Sequence, residues 1–247
     1  MAIAFVPIDI DVRLPNEHVL LDYCNRYSIT KDLSPEDEWG TSTWHIGPVL
    51  ARMDSEDWYD PEKSLHALHH RYNPNMGEPR YANGIDKIMP EIPHMLEQLP
   101  FKELTLVSLF LQTKEVGRHF DPHVGDVYND PTEIGIDLEP HRYNILLTQH
   151  GKPSFYLADT RFTDKVFPTI TRERPAFAFC ERYHFHGADY IGPGKVLLTV
   201  FGILDREKHK EMIAKNLEKY RDEAIIFEDP DDPTDVKYHF IEKASYY

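Results

Sequence analysis

The 247-residue sequence has few features of secreted or membrane-spanning proteins. Only two cysteines are present, Cys24 and Cys180, so a disulfide framework is not expected and both thiols are predicted to be reduced and buried. No apolar run approaches the roughly 20 residues that a membrane helix needs. The first residues carry no basic leader of the kind found in signal peptides. These absences predict a cytoplasmic protein with no membrane partner.

Positive charge is also scarce. The sequence has 27 Lys and Arg residues against 42 Asp and Glu residues, a formal net charge of −15 at pH 7. Most of such a surface would repel a phosphate backbone, so nucleic acid is not expected as a partner. By contrast, the 14 Tyr, 13 Phe and 14 His residues are numerous and suit a deep pocket.

Short apolar segments separated by glycine and proline fill the middle of the chain. Residues 104–111 are predicted to form a buried strand, and further strands are predicted at 143–148, 154–157, 165–170, 176–180 and 196–203. Short strands with this punctuation are typical of sandwiches and barrels. We therefore predict a mainly β fold with flanking helices, arranged as a double-stranded β-helix, which is a cupin-like jelly roll.

The chain is long enough for one large domain, and no internal repeat divides it. Residues 1–100 are predicted to form an α/β support, including a helix that opens at Pro15-Asn16-Glu17 with Val19, Leu20 and Tyr23 on its inner stripe. Residues 101–204 would form the jelly-roll core with the metal site. Residues 205–247 would add a C-terminal helix and a tail.

His119-Phe120-Asp121 is the segment most indicative of chemistry, because residues i and i+2 of a strand point to the same face. His119 and Asp121 could therefore bind one metal ion from a single strand end. A third ligand would come from His184-Phe185-His186, which a jelly roll brings to the same open end. Two histidines and one carboxylate form the facial triad of non-haem Fe(II) oxygenases and leave positions open for a co-substrate and O2.

The spacing does not settle which histidines bind the metal. His184 and His186 are both possible as the distal ligand. His123 also stands at i+2 spacing from Asp121, although Pro122 bends the chain between them. A histidine that does not coordinate the metal would line the pocket wall or would hydrogen-bond one of the metal-coordinating residues.

Three stretches resemble the aspartyl/asparaginyl β-hydroxylase-like branch of the Fe(II)/2-oxoglutarate oxygenases, which includes free-proline hydroxylases. They are residues 116–121, residues 142–147 and residues 179–186, and the resemblance covers about residues 40–204. It implies a single oxygenase domain that uses Fe(II), 2-oxoglutarate and O2. The step from Phe179 to His186 fits the family's distal histidine, so the implied ligands are His119, Asp121 and His186.

The resemblance also implies a basic residue that binds the distal carboxylate of 2-oxoglutarate. Family members usually have arginine at this place, whereas here the neighbouring position holds Lys195, which offers a point charge in place of a two-pronged fork. Arg142 is the second candidate for this carboxylate. Asn144, two residues after Arg142, could face the same pocket.

The resemblance implies hydroxylation of a C–H bond in an amino acid, peptide or peptide-like molecule, with succinate and CO2 as co-products. One alternative is a cupin-type metalloenzyme that does not use 2-oxoglutarate. Another is a non-catalytic jelly-roll binding module. An oxoacid co-substrate needs a cation such as Lys195, whereas a simple cupin does not.

Overall fold

The computed structural model describes residues 2–32, 43–51, 77–113, 115–119, 140–148, 154–158, 163–180, 185–189 and 194–227. Within these ranges the protein is mainly β with few helices, as predicted. The strands are β1 (Ala2–Pro7), β2 (Ile29–Asp32), β3 (Thr43–Ala51), β4 (Arg80–Tyr81), β5 (Phe101–Gln112), β6 (Val116–His119), β7 (Arg142–Leu146), β8 (Phe155–Ala158), β9 (Ala176–Phe179), β10 (Phe185–Ala188), β11 (Lys195–Leu204) and β12 (Ile225–Phe227). The helices are α1 (Glu17–Tyr27), α2 (Ile85–Ile88), α3 (Glu91–Leu96) and α4 (Arg206–Lys219), with a short 3-10 helix at Ala82–Gly84.

Helix α1 begins where the sequence predicts it, because the Asn16 side chain accepts hydrogen bonds from the backbone N–H groups of the first turn. Leu20 and Tyr23 are buried, as expected. Val19 is 36% exposed, so its assignment to the inner stripe is wrong. The third buried residue is Cys24, because positions i and i+4 lie on one helix face.

The strands form two antiparallel sheets. The large sheet has the order β12-β1-β9-β7-β11-β5-β3-β2, with β4 paired to β3, and the small sheet has the order β6-β10-β8. Strands β1 and β3, from the predicted support region, therefore lie in the same sheet as the central strands β5, β7 and β11. No helix of the described ranges is long and apolar enough to cross a membrane.

The small sheet packs on one face of the large sheet, here called the inner face. Phe155 of β8 lies 5.2 Å from Phe177 and 5.1 Å from Phe179 of β9, measured between ring centroids. The main apolar core lies between the opposite face of the large sheet and helices α1 and α4. It includes Tyr143 of β7 and Cys24 of α1. Side chains along a strand alternate between the two faces of a sheet. Every second residue of β7 and of β11 therefore lies on the inner face.

The predicted strand at 165–170 is wrong. Only one isolated bridge forms there, between Val166 and Leu157, and Val166 and Phe167 are exposed. Pro168 has no backbone N–H to donate to a neighbouring strand, which disfavours continued pairing. Cys24 and Cys180 are buried and make no disulfide, as predicted.

Candidate functional site

The small sheet places two histidines directly opposite each other. In the antiparallel pairing of β6 with β10, His119 is the register partner of His186. Directly opposed residues belong to the same face of a sheet, with Cβ atoms about 5 Å apart. His186 is also the register partner of Leu157, which packs in the inner core. The backbone therefore brings the two histidine positions, 67 residues apart in the sequence, opposite each other on the small sheet.

His186 lies in an aromatic environment and is only 5% exposed. The centroid of its ring lies 5.0 Å from that of the Phe179 ring, in an edge-to-face arrangement, and 6.4 Å from that of the Phe155 ring. These contacts restrict the imidazole to a narrow range of orientations. A fixed, buried imidazole is suited to metal binding, because the ligand does not have to be ordered when the ion arrives.

The remaining predicted metal ligands are not part of this geometry. Asp121, His123 and His184 lie outside the described residues, so the choice between His184 and His186 and the role of Asp121 stay predictions. Within the described ranges, no three His, Cys, Asp or Glu residues form a cluster that could hold a metal ion.

Lys195 stands at the first position of β11, opposite Gln112 of β5. Its Nζ donates a hydrogen bond to Ser154 Oγ, at the residue that precedes β8. Among the residues that the structure describes, this ammonium has no carboxylate partner. Burial lowers the pKa of Lys195 from 10.5 to about 8. The result is a desolvated cation that an incoming anion would stabilise.

Lys195 lies near the far end of β10 relative to His186. Gln112, the register partner of Lys195 on β5, donates a hydrogen bond from Nε2 to the carbonyl oxygen of Ala188 at 3.5 Å. Ala188 lies two residues beyond His186 along β10, about 7 Å at the rise of a strand.

Arg142 occupies the opposite end of the inner face. Its guanidinium carbon lies 4.7 Å from the centroid of the Phe201 ring and 5.5 Å from that of Phe179. Phe179 is also the ring that contacts His186, so Arg142 lies at the histidine end of the pocket. Lys195 and Phe201 are six residues apart on β11, about 20 Å. The two predicted cations therefore do not converge on one carboxylate.

Asn144 lies on the inner face two residues after Arg142 and is 2% exposed. It is opposite Thr199 of β11, which is in turn opposite Ser108 of β5. The structure thus adds Ser108, Thr199 and Ser154 to the residues that sequence reasoning singled out. A Ser or Thr directly flanked on both sides by apolar residues was the available signal for the first two. Ser154 at a strand start carried no such signal.

Comparison with known proteins adds little. No family model matches the sequence, and no curated protein matches it. Among solved structures, the chain is similar to an oxidoreductase of the 2OG-Fe(II) oxygenase family from Burkholderia pseudomallei, with 11% identity over 76% of this chain and 82% of that chain. The TM-score is 0.37, which is too low to establish a shared fold.

Proposed function

We propose that this protein is an Fe(II)/2-oxoglutarate-dependent oxygenase with a jelly-roll core, which hydroxylates an amino acid, peptide or peptide-like molecule. The observation that carries this proposal is the register of His119 opposite His186 on a small sheet that packs against a second sheet. Two histidines paired in register across one sheet, with an aspartate two residues after the first histidine in the sequence, match the ligand types of a non-haem iron site. His119, Asp121 and His186 would hold the metal.

Lys195 is the residue we assign to the distal carboxylate of 2-oxoglutarate, together with Ser154. A desolvated ammonium with no carboxylate partner among the described residues is electrostatically complementary to this group. The Ser154 hydroxyl contacts Nζ and can donate to the same carboxylate.

Arg142 lies at the histidine end of the pocket, away from Lys195, and is the second candidate for binding a carboxylate of the co-substrate. Its contacts with Phe179 and Phe201 hold the guanidinium against apolar rings and strengthen its interaction with an anion. The Asn144 carboxamide can donate from Nδ2 to the co-substrate.

When bound, iron and 2-oxoglutarate would together with O2 supply the oxidising power that hydroxylates a C–H bond. Succinate and CO2 would be the co-products. The chain itself positions the reactants and excludes water. Phe155, Phe177 and Phe179 form an apolar wall beside His186 and keep bulk water from this side of the site.

The test is the visible spectrum of the apo-protein mixed anaerobically with Fe(II) and 2-oxoglutarate. We expect a weak charge-transfer band that requires both components and is lost in Asp121→Ala. Asp22→Ala is the matched control, because Asp22 is a surface carboxylate of α1 that pairs only locally with Arg26.

Each other outcome has a distinct meaning. Iron binding without the band would favour a cupin-type metalloenzyme that does not use 2-oxoglutarate. No metal binding would favour a non-catalytic binding module. A band that persists unchanged in Asp121→Ala would remove Asp121 from the ligand set.

A further inference from the structure

One buried hydroxyl contacts the backbone on both sides of Lys195. Thr148 lies two residues after the end of β7 and is 3% exposed. Its Oγ1 donates a hydrogen bond to the carbonyl oxygen of Gly194 at 2.6 Å and accepts one from the backbone N–H of Val196 at 2.7 Å. The donor and the acceptor capacity of the hydroxyl are thus both used.

These two contacts restrict the backbone torsion angles of Lys195. The Gly194 carbonyl belongs to the peptide unit before Lys195, and the Val196 N–H belongs to the peptide unit after it. Because φ and ψ are the only soft rotations between two planar peptide units, holding both units fixes the direction of the Cα–Cβ bond between them. Thr148 therefore sets the direction in which the lysine side chain leaves the backbone.

The turn that precedes Lys195 is constrained, and Thr148 connects it to the neighbouring strand. Gly194 has a φ of +87°, in the left-handed region that favours glycine. Leu147, next to Thr148, donates from its backbone N–H to the carbonyl oxygen of Val196 at 2.9 Å. The start of β11 is thus held to the chain that follows β7 by a backbone hydrogen bond and by the Thr148 hydroxyl.

The other end of the Lys195 side chain is anchored next to the small sheet. Nζ donates to Ser154 Oγ, and the Ser154 carbonyl oxygen accepts a hydrogen bond from the backbone N–H of Asp189 at 2.8 Å. Asp189 directly follows β10, the strand that carries His186. Lys195 therefore connects the two sheets, and a shift of its backbone would move the ammonium relative to the histidine.

We propose that Thr148 is a positioning residue for Lys195, whose hydroxyl holds the ammonium where a carboxylate of the co-substrate binds. The inference rests on the oxygenase function proposed above. Thr148 acts through the backbone of Lys195, so removing its hydroxyl weakens 2-oxoglutarate binding without removing the positive charge.

The test compares Thr148→Val with Thr148→Ser in the full-length protein. Valine keeps the shape of threonine without the hydroxyl, whereas serine keeps the hydroxyl and loses only a methyl group. Thr105→Val is the matched control, because Thr105 is a buried threonine whose hydroxyl has no hydrogen-bond partner among the described residues. Thermal unfolding first establishes that each variant is folded.

The first readout is the 2-oxoglutarate concentration that gives half-maximal intensity of the charge-transfer band in the anaerobic Fe(II) complex. We expect it to rise about tenfold in Thr148→Val, the effect of losing one to two hydrogen bonds, and to change less than about twofold in Thr148→Ser and Thr105→Val.

The second readout needs neither metal nor co-substrate. Competitive trace acetylation followed by mass spectrometry gives the pH at which Lys195 loses its proton. Burial lowers the pKa of Lys195 to about 8 in the natural protein. In Thr148→Val this midpoint should rise by about one pH unit, because a displaced ammonium regains solvent, whereas it should stay unchanged in Thr148→Ser. A purely structural role of Thr148 would lower stability without moving this midpoint.

The outcomes separate the two proposals. If the wild-type protein gives no band, the oxygenase function fails, and the acetylation midpoint alone decides whether Thr148 positions Lys195. If the band forms and either readout is unchanged in Thr148→Val, the role of Thr148 is overturned. Equal effects in Thr148→Val and Thr148→Ser overturn it as well, because the hydroxyl is then not the cause.

If Thr148→Val does not fold, Gly194→Ala takes its place. Alanine is strained at the φ of Gly194, so this substitution displaces the same peptide unit from the other side. The same rise in the acetylation midpoint is expected, and an unchanged midpoint would overturn the proposal.

Discussion

Replacing Lys195 by methionine tests the assignment of the co-substrate cation most directly. The substitution keeps the length of the side chain and removes its charge. A hydrogen bond to a charged group contributes about 1.5–3 kcal/mol, so Lys195→Met should weaken 2-oxoglutarate binding by about 10- to 150-fold. Lys165→Met is the matched control, because Lys165 is a lysine paired with Asp189 at the surface.

The same residue predicts the pH dependence of co-substrate binding. Burial holds the pKa of Lys195 at about 8 in the free protein, and a bound carboxylate would raise it again. Below pH 8 the ammonium is already charged and affinity should be constant. Above pH 8 binding must take up a proton, so the affinity should fall by up to tenfold for each pH unit. In Lys195→Met this pH dependence should disappear.

As the pH rises, the free energy of unfolding should change in the opposite direction from the affinity for 2-oxoglutarate. The pKa of Lys195 is lower in the folded state than the value of 10.5 expected in the unfolded chain, so the folded state binds fewer protons between pH 8 and 10.5. Unfolding free energy therefore rises with pH across that window, and at pH 7 the charged lysine costs about 3 kcal/mol. Lys195→Met should remove this cost but also lose the hydrogen bond to Ser154, so the net change in the free energy of unfolding should be small.

The assays are titration of the anaerobic Fe(II) complex with 2-oxoglutarate from pH 6.5 to 9.5, and thermal unfolding at pH 7. The expected combination is weaker binding without lower stability. Wild-type affinity in Lys195→Met, or an affinity of the natural protein that does not change across pH 8, would refute the assignment. Equal losses in binding and stability would indicate that Lys195 has only a structural role.

Three further predictions concern the metal end and the helix packed behind it. His186→Ala should abolish the Fe(II)-dependent band, whereas His94→Ala, a histidine paired with a surface aspartate, should retain it in the same spectral assay. Gly187→Ala should lower the unfolding free energy by about 1–3 kcal/mol and weaken iron binding. The reason is that a Cβ at this position would lie 2.4 Å from Tyr156 Oη and 2.7 Å from a backbone oxygen. Calorimetry that shows no destabilisation would contradict this prediction. Burial lowers the pKa of His209 from 6.5 to about 4. Between these pH values the imidazole of the folded state stays neutral, whereas that of the unfolded state gains a proton. The free energy of unfolding should therefore fall by about 3 kcal/mol as the pH falls from 6.5 to 4. Denaturant unfolding should show a smaller loss over this range in His209→Gln.

Much of the strand pattern could be predicted from local sequence. The nearly continuous apolar segments of β5 and β11 indicate strands whatever their partners are. Segment 165–170 was predicted wrongly because its apolar residues resemble those of a strand, although Pro168 interrupts the pairing. The assignment of Val19 was wrong because an apolar residue beside a buried stripe looks the same in sequence whichever side of the helix it occupies.

The sequence by itself determined which residue types were available for chemistry: the His-x-Asp segment, the later histidine pair and the basic residues near each. Only the tertiary structure decided their partners, because strand register is set by contacts between segments far apart in the chain. The register placed His119 opposite His186, separated Lys195 from Arg142, and aligned Ser108, Thr199 and Asn144. The burial that depresses the pKa of Lys195 is likewise a property of the packed sheets.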